Sequence, residues 1–458
     1  MYATARPTAP RLLSALALAA LSVAGGSAVA KPASDHWCAD RCDQVVVDWN
    51  QHTHQVIKAA DGYSNPMAAS RVLAMVHLAM HDAVNAVQPR YRSYAYEGRT
   101  EPGAAQADAA VAAVAGVAAV AATVAAHDVL LALYPQQKDL LRATLDATLH
   151  DAGIGAAVEQ GRKTGAAAAA AMLARRADDG SAADEAYHPG LGPGVYRYTP
   201  GFDFLAAPHW RAVTPFTMRT PDQFRLPAPP ALSSAAYAAD FNEVKASGSV
   251  AAGAQRSAVQ TQYAAYWYEF SDSGWNRIAR NVARKHPQDL WQRARGFALL
   301  NAVMADAYIA GWDSKMHYDL WRPVTAIQQA AIDGNPATTA DATWAPMLPT
   351  PPVQDYPSTH SALGAAAAVA LAHSFGRDRV PFTMASPSAL PEAPARSFPS
   401  FSAAAKENAD SRVRAGLHFR FATTAGLQLG ERIGQQAVQE LLGPIGKAGK
   451  VGQVGSTR

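Results

Sequence analysis

Apolar residues recur at three- and four-residue spacing in blocks at 66–88, 105–134, 137–177, 234–247, 255–284, 288–312, 361–375 and 402–442. That period puts an apolar stripe on one face of a helix, and the Ala- and Leu-rich composition of the blocks adds helix propensity. No run of alternating β-branched residues competes with it, so the pattern predicts an all-α chain built of helical bundles. The stretches 178–232, 335–357 and 381–400 are rich in Pro, Gly or aromatic residues and read as loops. The first is long enough to cross between two helical halves, at 31–232 and 233–445, with 446–458 expected to fray as a Gly-, Lys- and Ser-containing tail. A weak repeat joins the halves. Arg71, Ala74, Met80, Asp82, Ala83 and Ala86 recur at a constant offset of 224 as Arg295, Ala298, Met304, Asp306, Ala307 and Ala310. The repeat predicts two related bundles, the second of which carries the chemical residues.

Composition narrows the class. With 458 residues, 49% of them hydrophobic and 17% charged, the chain can bury a large core. A net charge of +3 without any Lys/Arg run excludes a general nucleic-acid-binding face. Residues 1–30 read as a secretory leader: Arg6 and Arg11 precede the apolar stretch Leu12 to Ala24, and Ala28-Val29-Ala30 offers a small-residue cleavage site. Secretion or periplasmic export is the expectation, by the general route because no twin arginine occurs. The two cysteines, Cys38 and Cys42, then meet an oxidising compartment and are expected to close a local disulfide, since no further thiol exists to complete a metal site. Ala109 to Ala126 is uncharged but weakly hydrophobic and flanked by Asp108, His127 and Asp128. It reads as a buried bundle helix, with no stable membrane span expected.

Three short segments hold chemistry that helix packing does not require. Trp312-Asp313-Ser314-Lys315 leads into Trp321-Arg322-Pro323. Lys315 and Arg322 are seven apart, two helical turns, which projects them from one side, and Pro323 is expected to interrupt the helix there. Tyr356-Pro357-Ser358-Thr359-His360-Ser361 runs into the block at 361–375, so Ser358 or a neighbour caps that helix and its free first-turn N–H groups face any bound anion. Ser411-Arg412 and His418-Phe419-Arg420 lie in the last block, where Arg412 and His418, six apart, converge if the helix begins or bends between them. Each piece alone has a plain structural use: a helix end, a cap, a core histidine. Together, Lys315, Arg322 and Arg412, the Ser358 hydroxyl and the Thr359 amide match the demands of a buried oxyanion, vanadate or phosphate. His360 and His418 add two rings that titrate near neutrality, one to attack or ligate the central atom and one to move protons.

The set Lys315-x6-Arg322-Pro323, Pro357-Ser358-x-His360 and Ser411-Arg412-x5-His418 resembles the three-part signature shared by vanadium-dependent haloperoxidases and the type 2 phosphatidic acid phosphatase superfamily. The wider pattern, from the Asp82-Ala83-Val84 helix through the 187–216 loop to Gly426, is similar to bacterial haloperoxidase-like secreted proteins and covers most of the mature chain. The resemblance implies two four-helix bundles with the anion site in the second. It further implies that Lys315, Arg322, Ser358, Arg412 and the Thr359 amide hold the equatorial oxygens of vanadate, with His418 the axial vanadium ligand and His360 the acid–base group. Trp312 stands where chloroperoxidases of this family carry a tryptophan near the halide. The chain departs from the pattern at Thr359, where glycine is usual, at Ala422, where aspartate often stands, and at Val353, where some chloroperoxidases have an aromatic residue.

Oxidation of halide by hydrogen peroxide, with vanadate as cofactor, is the function this resemblance favours, on Trp312 and on the whole-chain pattern. The alternative in the same pocket is an acid phosphatase acting on a phosphoester without vanadate, in which His418 attacks phosphorus and His360 protonates the leaving oxygen. A third reading is a non-enzymatic or divalent-metal-binding helical protein built on His77 and His81, four apart beside Asp82. No third ligand of suitable spacing accompanies them, and packing in the bundle is the preferred use.

Overall fold

Side chains that can take the first free N–H groups open several of the helices. Asn65 accepts from Ala68 with Pro66 at the first helical position, and Ser257 and Asp289 close reciprocal capping boxes with Gln260 and Gln292. The computed structural model describes Cys38 and residues 41–100, 111–152 and 155–446. The leader read at 1–30 and the tail beyond residue 446 lie outside the described residues. In the first half run α1 (Val45–Asp61), α2 (Pro66–Val87), α3 (Val111–Leu133), α4 (Lys138–Leu149) and α5 (Ala156–Arg175). In the second half run α6 (Ala235–Ser247), α7 (Ala258–Tyr266), α8 (Ser271–Lys285), α9 (Leu290–Tyr318), α10 (Pro323–Gln328) and α11 (Thr359–Ser374). The hairpin of β1 (Phe382–Ala385) and β2 (Ala395–Phe398) precedes α12 (Phe401–Arg414) and α13 (Arg420–Glu440).

The central helices of the two halves, α2 and α9, pack on one another and are buried around nearly their whole circumference. Helices α3 and α5 cover α2, while α11 covers α9 and is itself covered by α12 and α13. The chain is thus an all-α protein of two helical bundles. The repeat has a physical meaning in this frame. Asp82 on α2 accepts the backbone N–H groups of Tyr94, Ala95 and Tyr96, at 2.8, 2.7 and 2.9 Å. Asp306 on α9 likewise accepts those of Phe216, Thr217 and Met218, at 2.7, 2.7 and 3.0 Å. Each bundle uses one buried carboxylate to gather a turn of loop against its central helix.

Several expected elements are redrawn. The block at 402–442 is two helices, because α12 stops at Arg414 and Gly416 turns with φ +79° before α13 begins. The block at 255–284 likewise breaks between α7 and α8, and that at 137–177 between α4 and α5. Helix α9 outruns its predicted end at 312 and closes at Asp319, whose φ of +46° ends the ladder. Lys315 and Arg322 therefore do not share one helix: Lys315 is in the last turn of α9 and Arg322 caps α10, where Pro323 takes the first position. The 381–400 loop contains the β-hairpin, whose Phe382 and Phe398 rings pair 5.2 Å apart over the core. Helix α1 was not anticipated at all.

Val114–Leu133 is long and apolar enough to cross a membrane, but 72% of its window is buried in the bundle. Cys38 and Cys42 are disulfide-bonded, with Cα atoms 4.7 Å apart. His77 and His81 are both buried. Asn50 Nδ2 lies 2.8 Å from His77 Nε2, and His81 Nε2 lies 3.2 Å from the Arg92 carbonyl.

Candidate active site

Four chain ends meet beneath α9 in the second bundle: the C-terminus of α9, the N-termini of α10 and α11, and the turn between α12 and α13. Lys315 is fully buried and its ammonium donates to the carbonyls of Gln354 and Asp355. Arg322 donates from Nε to the Val353 carbonyl at 2.6 Å and from Nη1 to the Leu417 carbonyl at 2.8 Å. Arg412, also buried, reaches the Trp267 carbonyl at 3.3 Å, while its Nε has no partner. Its guanidinium carbon lies 5.8 Å from the centre of the Tyr268 ring. Among the described residues, the one ion pair made by any of these three cations is a long one, Arg322 Nη1 to Asp355 Oδ1 at 3.9 Å.

The turn after α12 brings His418 to this cluster. The N–H groups of Leu417 and His418 both return to the Arg412 carbonyl, at 2.9 and 3.3 Å, which folds residue 418 back beside residue 412. Gly416 makes that turn. A Cβ there would stand 2.4 Å from the Gly248 carbonyl oxygen, and φ is in the left-handed region. His418 Nδ1 lies 2.9 Å from Asp355 Oδ1 and its Nε2 lies 2.9 Å from Arg322 Nη1. With Nδ1 protonated toward the carboxylate, Nε2 offers its lone pair to the cations.

Ser358 caps α11, its hydroxyl receiving the Ser361 hydroxyl at 3.0 Å. Its own N–H is taken by the Ala422 carbonyl at 2.9 Å, so the first free amides of the helix are those of Thr359 and His360. Helix α13 comes this close because it presents glycine: a Cβ at Gly426 would stand 2.3 Å from the Ser358 carbonyl oxygen, and one at Gly430 2.0 Å from that of Ala362. Ala422, where the resembling signature often has aspartate, is a small buried residue whose carbonyl orients the Ser358 loop. Thr359 is accommodated in a similar way by α9, for a Cβ at Gly311 would lie 2.3 Å from the Thr359 methyl. His360, partly exposed, donates from Nε2 to the Glu269 carbonyl at 3.1 Å, leaving Nδ1 as the acceptor of the neutral ring.

Burial and like charge set the electrostatics. Burial pushes the Lys315 ammonium well below its ordinary value, and neighbouring Arg322 adds to the effect. Burial pushes Arg412 down to about 9. Both histidines are held well below their usual range, first by burial and then by the cations, Arg412 foremost at His360 and Arg322 foremost at His418. Burial raises Asp355 to about 7 against the pull of Arg322 and Lys315. Three buried cations are therefore answered mainly by carbonyl dipoles, and an entering oxyanion would offset the penalty on each of the three.

Lys315, Arg322, Arg412, His360 and His418 are thus brought together, with Ser358 and Thr359 at the helix start beside them. Trp312 is set apart on the wall of an adjoining cavity, its Nε1 donating to the Ala206 carbonyl at 2.9 Å. Sequence reasoning missed Asp355, although it is the only carboxylate between Asp341 and Asp378 and stands three residues before Ser358. It also missed the α7–α8 break, read as continuous helix, which supplies the Trp267 and Glu269 carbonyls and the Tyr268 ring.

Known proteins resemble this chain in both halves. A vanadium chloroperoxidase N-terminal domain model matches residues 41–208, and a model of the second helical-bundle domain of vanadium chloroperoxidase matches residues 295–446. A vanadium chloroperoxidase of Curvularia inaequalis is 26% identical over an alignment of 406 positions that covers 71% of this chain. The chain spans 63% of the length of that curated relative. Among solved structures, a bacterial vanadium-dependent iodoperoxidase is 26% identical and superposes with a TM-score of 0.69, covering 90% of this chain and 96% of its own. A holo-type bacterial vanadium-dependent chloroperoxidase, 20% identical with a TM-score of 0.66 and covering 82% and 92%, shares the fold.

Proposed function

The chain belongs to the vanadium haloperoxidase family, and from that premise we propose that it is an exported enzyme that oxidises halide with hydrogen peroxide, using vanadate held between Lys315 and His418. The observation that carries the reading is the buried charge imbalance, three cations set against carbonyls and one carboxylate that burial has driven toward neutrality. The residues fit the group. Lys315, Arg322, Arg412, the Ser358 hydroxyl and the Thr359 amide would hold its oxygens, and His418 Nε2 would ligate it. When bound, vanadate supplies a Lewis-acid centre that activates peroxide toward halide.

The chain's own part is arrangement and proton handling. The cations are held by carbonyls of Val353, Gln354, Asp355, Leu417 and Trp267, which fixes them in advance, while His418 Nε2, 2.9 Å from Arg322 Nη1, would exchange that contact for the bound group. Asp355 Oδ1, 2.9 Å from Nδ1, would in its ionised form favour the His418 tautomer that leaves Nε2 unprotonated. His360 is neutral near pH 7 because burial and Arg412 disfavour its charged form, and its Nδ1 can take the proton that peroxide must give up. The Cys38–Cys42 disulfide supports an oxidising compartment, in keeping with the leader read at 1–30.

The test is bromination of a dye by the vanadate-free chain titrated with vanadate, run beside phosphate release from a generic phosphoester. Bromination should rise from background, saturate with vanadate and fall again when phosphate competes. Bromination indifferent to vanadate would overturn the proposal, and phosphoester hydrolysis without any bromination would overturn it in favour of a phosphatase.

A further inference from the structure

Between α1, α8 and the end of β1 lies a surface cleft of about 660 Å³ that takes no part in the chemistry described so far. Lys58 from α1 and Arg277, Arg280, Arg284 and Lys285 from α8 line it, and no carboxylate stands among its lining residues. None of them belongs to the anion site. Five cations in one cleft is a local excess that the net charge of +3 over the whole chain does not foreshadow. Positions 277, 280 and 284 are three and four apart, so the three guanidinium groups share one face of α8. Like charges at that spacing oppose helix formation, so the stripe is not there to stabilise α8.

The fold answers only part of this charge. Arg277 donates to the Glu269 carboxylate, and its Nε donates to the Ala385 carbonyl at 3.1 Å. Arg284 reaches Asp48 at 3.4 Å, a long pair between two exposed side chains. Arg284 and Lys285 also stand in the last turn of α8, where the helix dipole favours a cation. Neither device serves Arg280. It is partly buried, its Nη1 donates to the neutral side-chain oxygen of Asn50, and it makes no ion pair among the described residues. Burial, with Arg277 and Arg284 beside it, pushes its pKa down to about 10. Elsewhere Arg90, Arg211 and Arg396 each meet a carboxylate, at 2.7, 2.8 and 2.6 Å. A cation left to neutral oxygens among other cations is the imbalance that also marks the anion site, and it calls for negative charge from outside the chain.

We propose that this cleft binds a compact polyphosphate, a ligand of two or three linked phosphate groups, at a site separate from the one between Lys315 and His418. Guanidinium forks match pairs of phosphate oxygens, and the two lysines add point charges. Arg277 to Arg284 is seven residues, about 10 Å of helix at 1.5 Å per residue, a length that linked phosphates can follow and a single phosphate cannot. The basic surface is confined to the cleft, which suits a short polyanion rather than a nucleic-acid duplex. Nothing in this site depends on the haloperoxidase reading.

Calorimetric titration of tripolyphosphate into the full chain, with vanadate already at saturating concentration, tests the cleft directly. Saturable one-to-one binding is expected, about tenfold or more tighter than that of orthophosphate under the same conditions. An Arg284→Gln/Lys285→Gln variant changes two exposed side chains and should keep the parent's melting temperature while weakening tripolyphosphate by about tenfold. Arg280→Gln should weaken it further. Arg162→Gln/Lys163→Gln on α5 removes the same charge away from the cleft and should leave the dissociation constant unchanged. No saturable binding, equal affinity for orthophosphate, an unchanged constant in the α8 double variant, or an equal loss in the α5 control overturns the proposal. A chain that binds tripolyphosphate through the α8 residues but shows no vanadate-dependent bromination keeps the cleft and discards the haloperoxidase reading.

Discussion

At the scale of single residues, one side chain outside the predicted set, Asp355, and the fit of Thr359 against Gly311 shape the site. Asp355 faces His418 Nδ1 at 2.9 Å and is the carboxylate nearest Arg322. Asp355→Asn preserves shape but removes the carboxylate that faces His418 Nδ1. Vanadate affinity, measured by titrating activity or by displacement with phosphate, should fall by about 10- to 100-fold. An unchanged vanadate constant would mean that the carboxylate does not position the ring. Thr359 in place of glycine is matched by Gly311, which leaves room for its methyl. Gly311→Ala should therefore destabilise the fold by about 1–3 kcal/mol despite alanine's better helix propensity, and Thr359→Gly should restore most of it. The check is a double-mutant cycle by denaturant unfolding, and additive effects would sink the pairing.

At the scale of elements, the site is made where helices stop. His418 belongs to a turn, and Gly416 is the residue that lets the chain reverse against Gly248 with φ +79°. Gly416→Ala meets both a positive φ and a backbone carbonyl 2.4 Å from the new Cβ. It should cost about 1–3 kcal/mol and move His418 away from Asp355, lowering vanadate affinity along with the melting temperature. A variant that loses stability yet keeps full vanadate affinity would show that the turn does not set the ring's position.

Across the whole molecule, a buried polar chain ties the two bundles together. His77 Nε2 on α2 meets Asn50 Nδ2 on α1, which donates to Asn276 on α8 at 2.7 Å, and Asn276 donates to Asn301 on α9 at 2.7 Å. Burial, helped by Arg280, lowers the His77 pKa from its usual value to about 3. The unfolded chain therefore takes up this proton near pH ~6.5 and the folded chain does not, so the stability it contributes is present above ~6.5 and is lost as pH falls toward about 3. In His77→Gln the slope of unfolding free energy against pH, between roughly 4 and 6, should be shallower by about 1.4 kcal/mol per pH unit. Parallel slopes in parent and variant would show that His77 does not resist protonation in the folded state.

How much of this was legible beforehand differs by scale. The period of apolar residues outlined most of the helices, though not α1, because one face of each must be buried. The repeat of Asp82 at Asp306 foretold paired bundles, because both carboxylates gather a loop in the same way. Lys315, Arg322, Ser358, His360, Arg412 and His418 were singled out from the chain by their residue types and by the resemblance of their spacing to a known signature, and the fold gathers them in one place. Their relative placement was not legible. Lys315 and Arg322 looked like neighbours on one helix, and Arg412 and His418 like misfits on another, because the left-handed turns at Asp319 and Gly416 leave no periodic trace. Asp355 and the Trp267–Glu269 carbonyls entered only through tertiary structure. A carboxylate or carbonyl matters to a buried cation by distance alone, and no spacing along the chain encodes a contact made between separate elements.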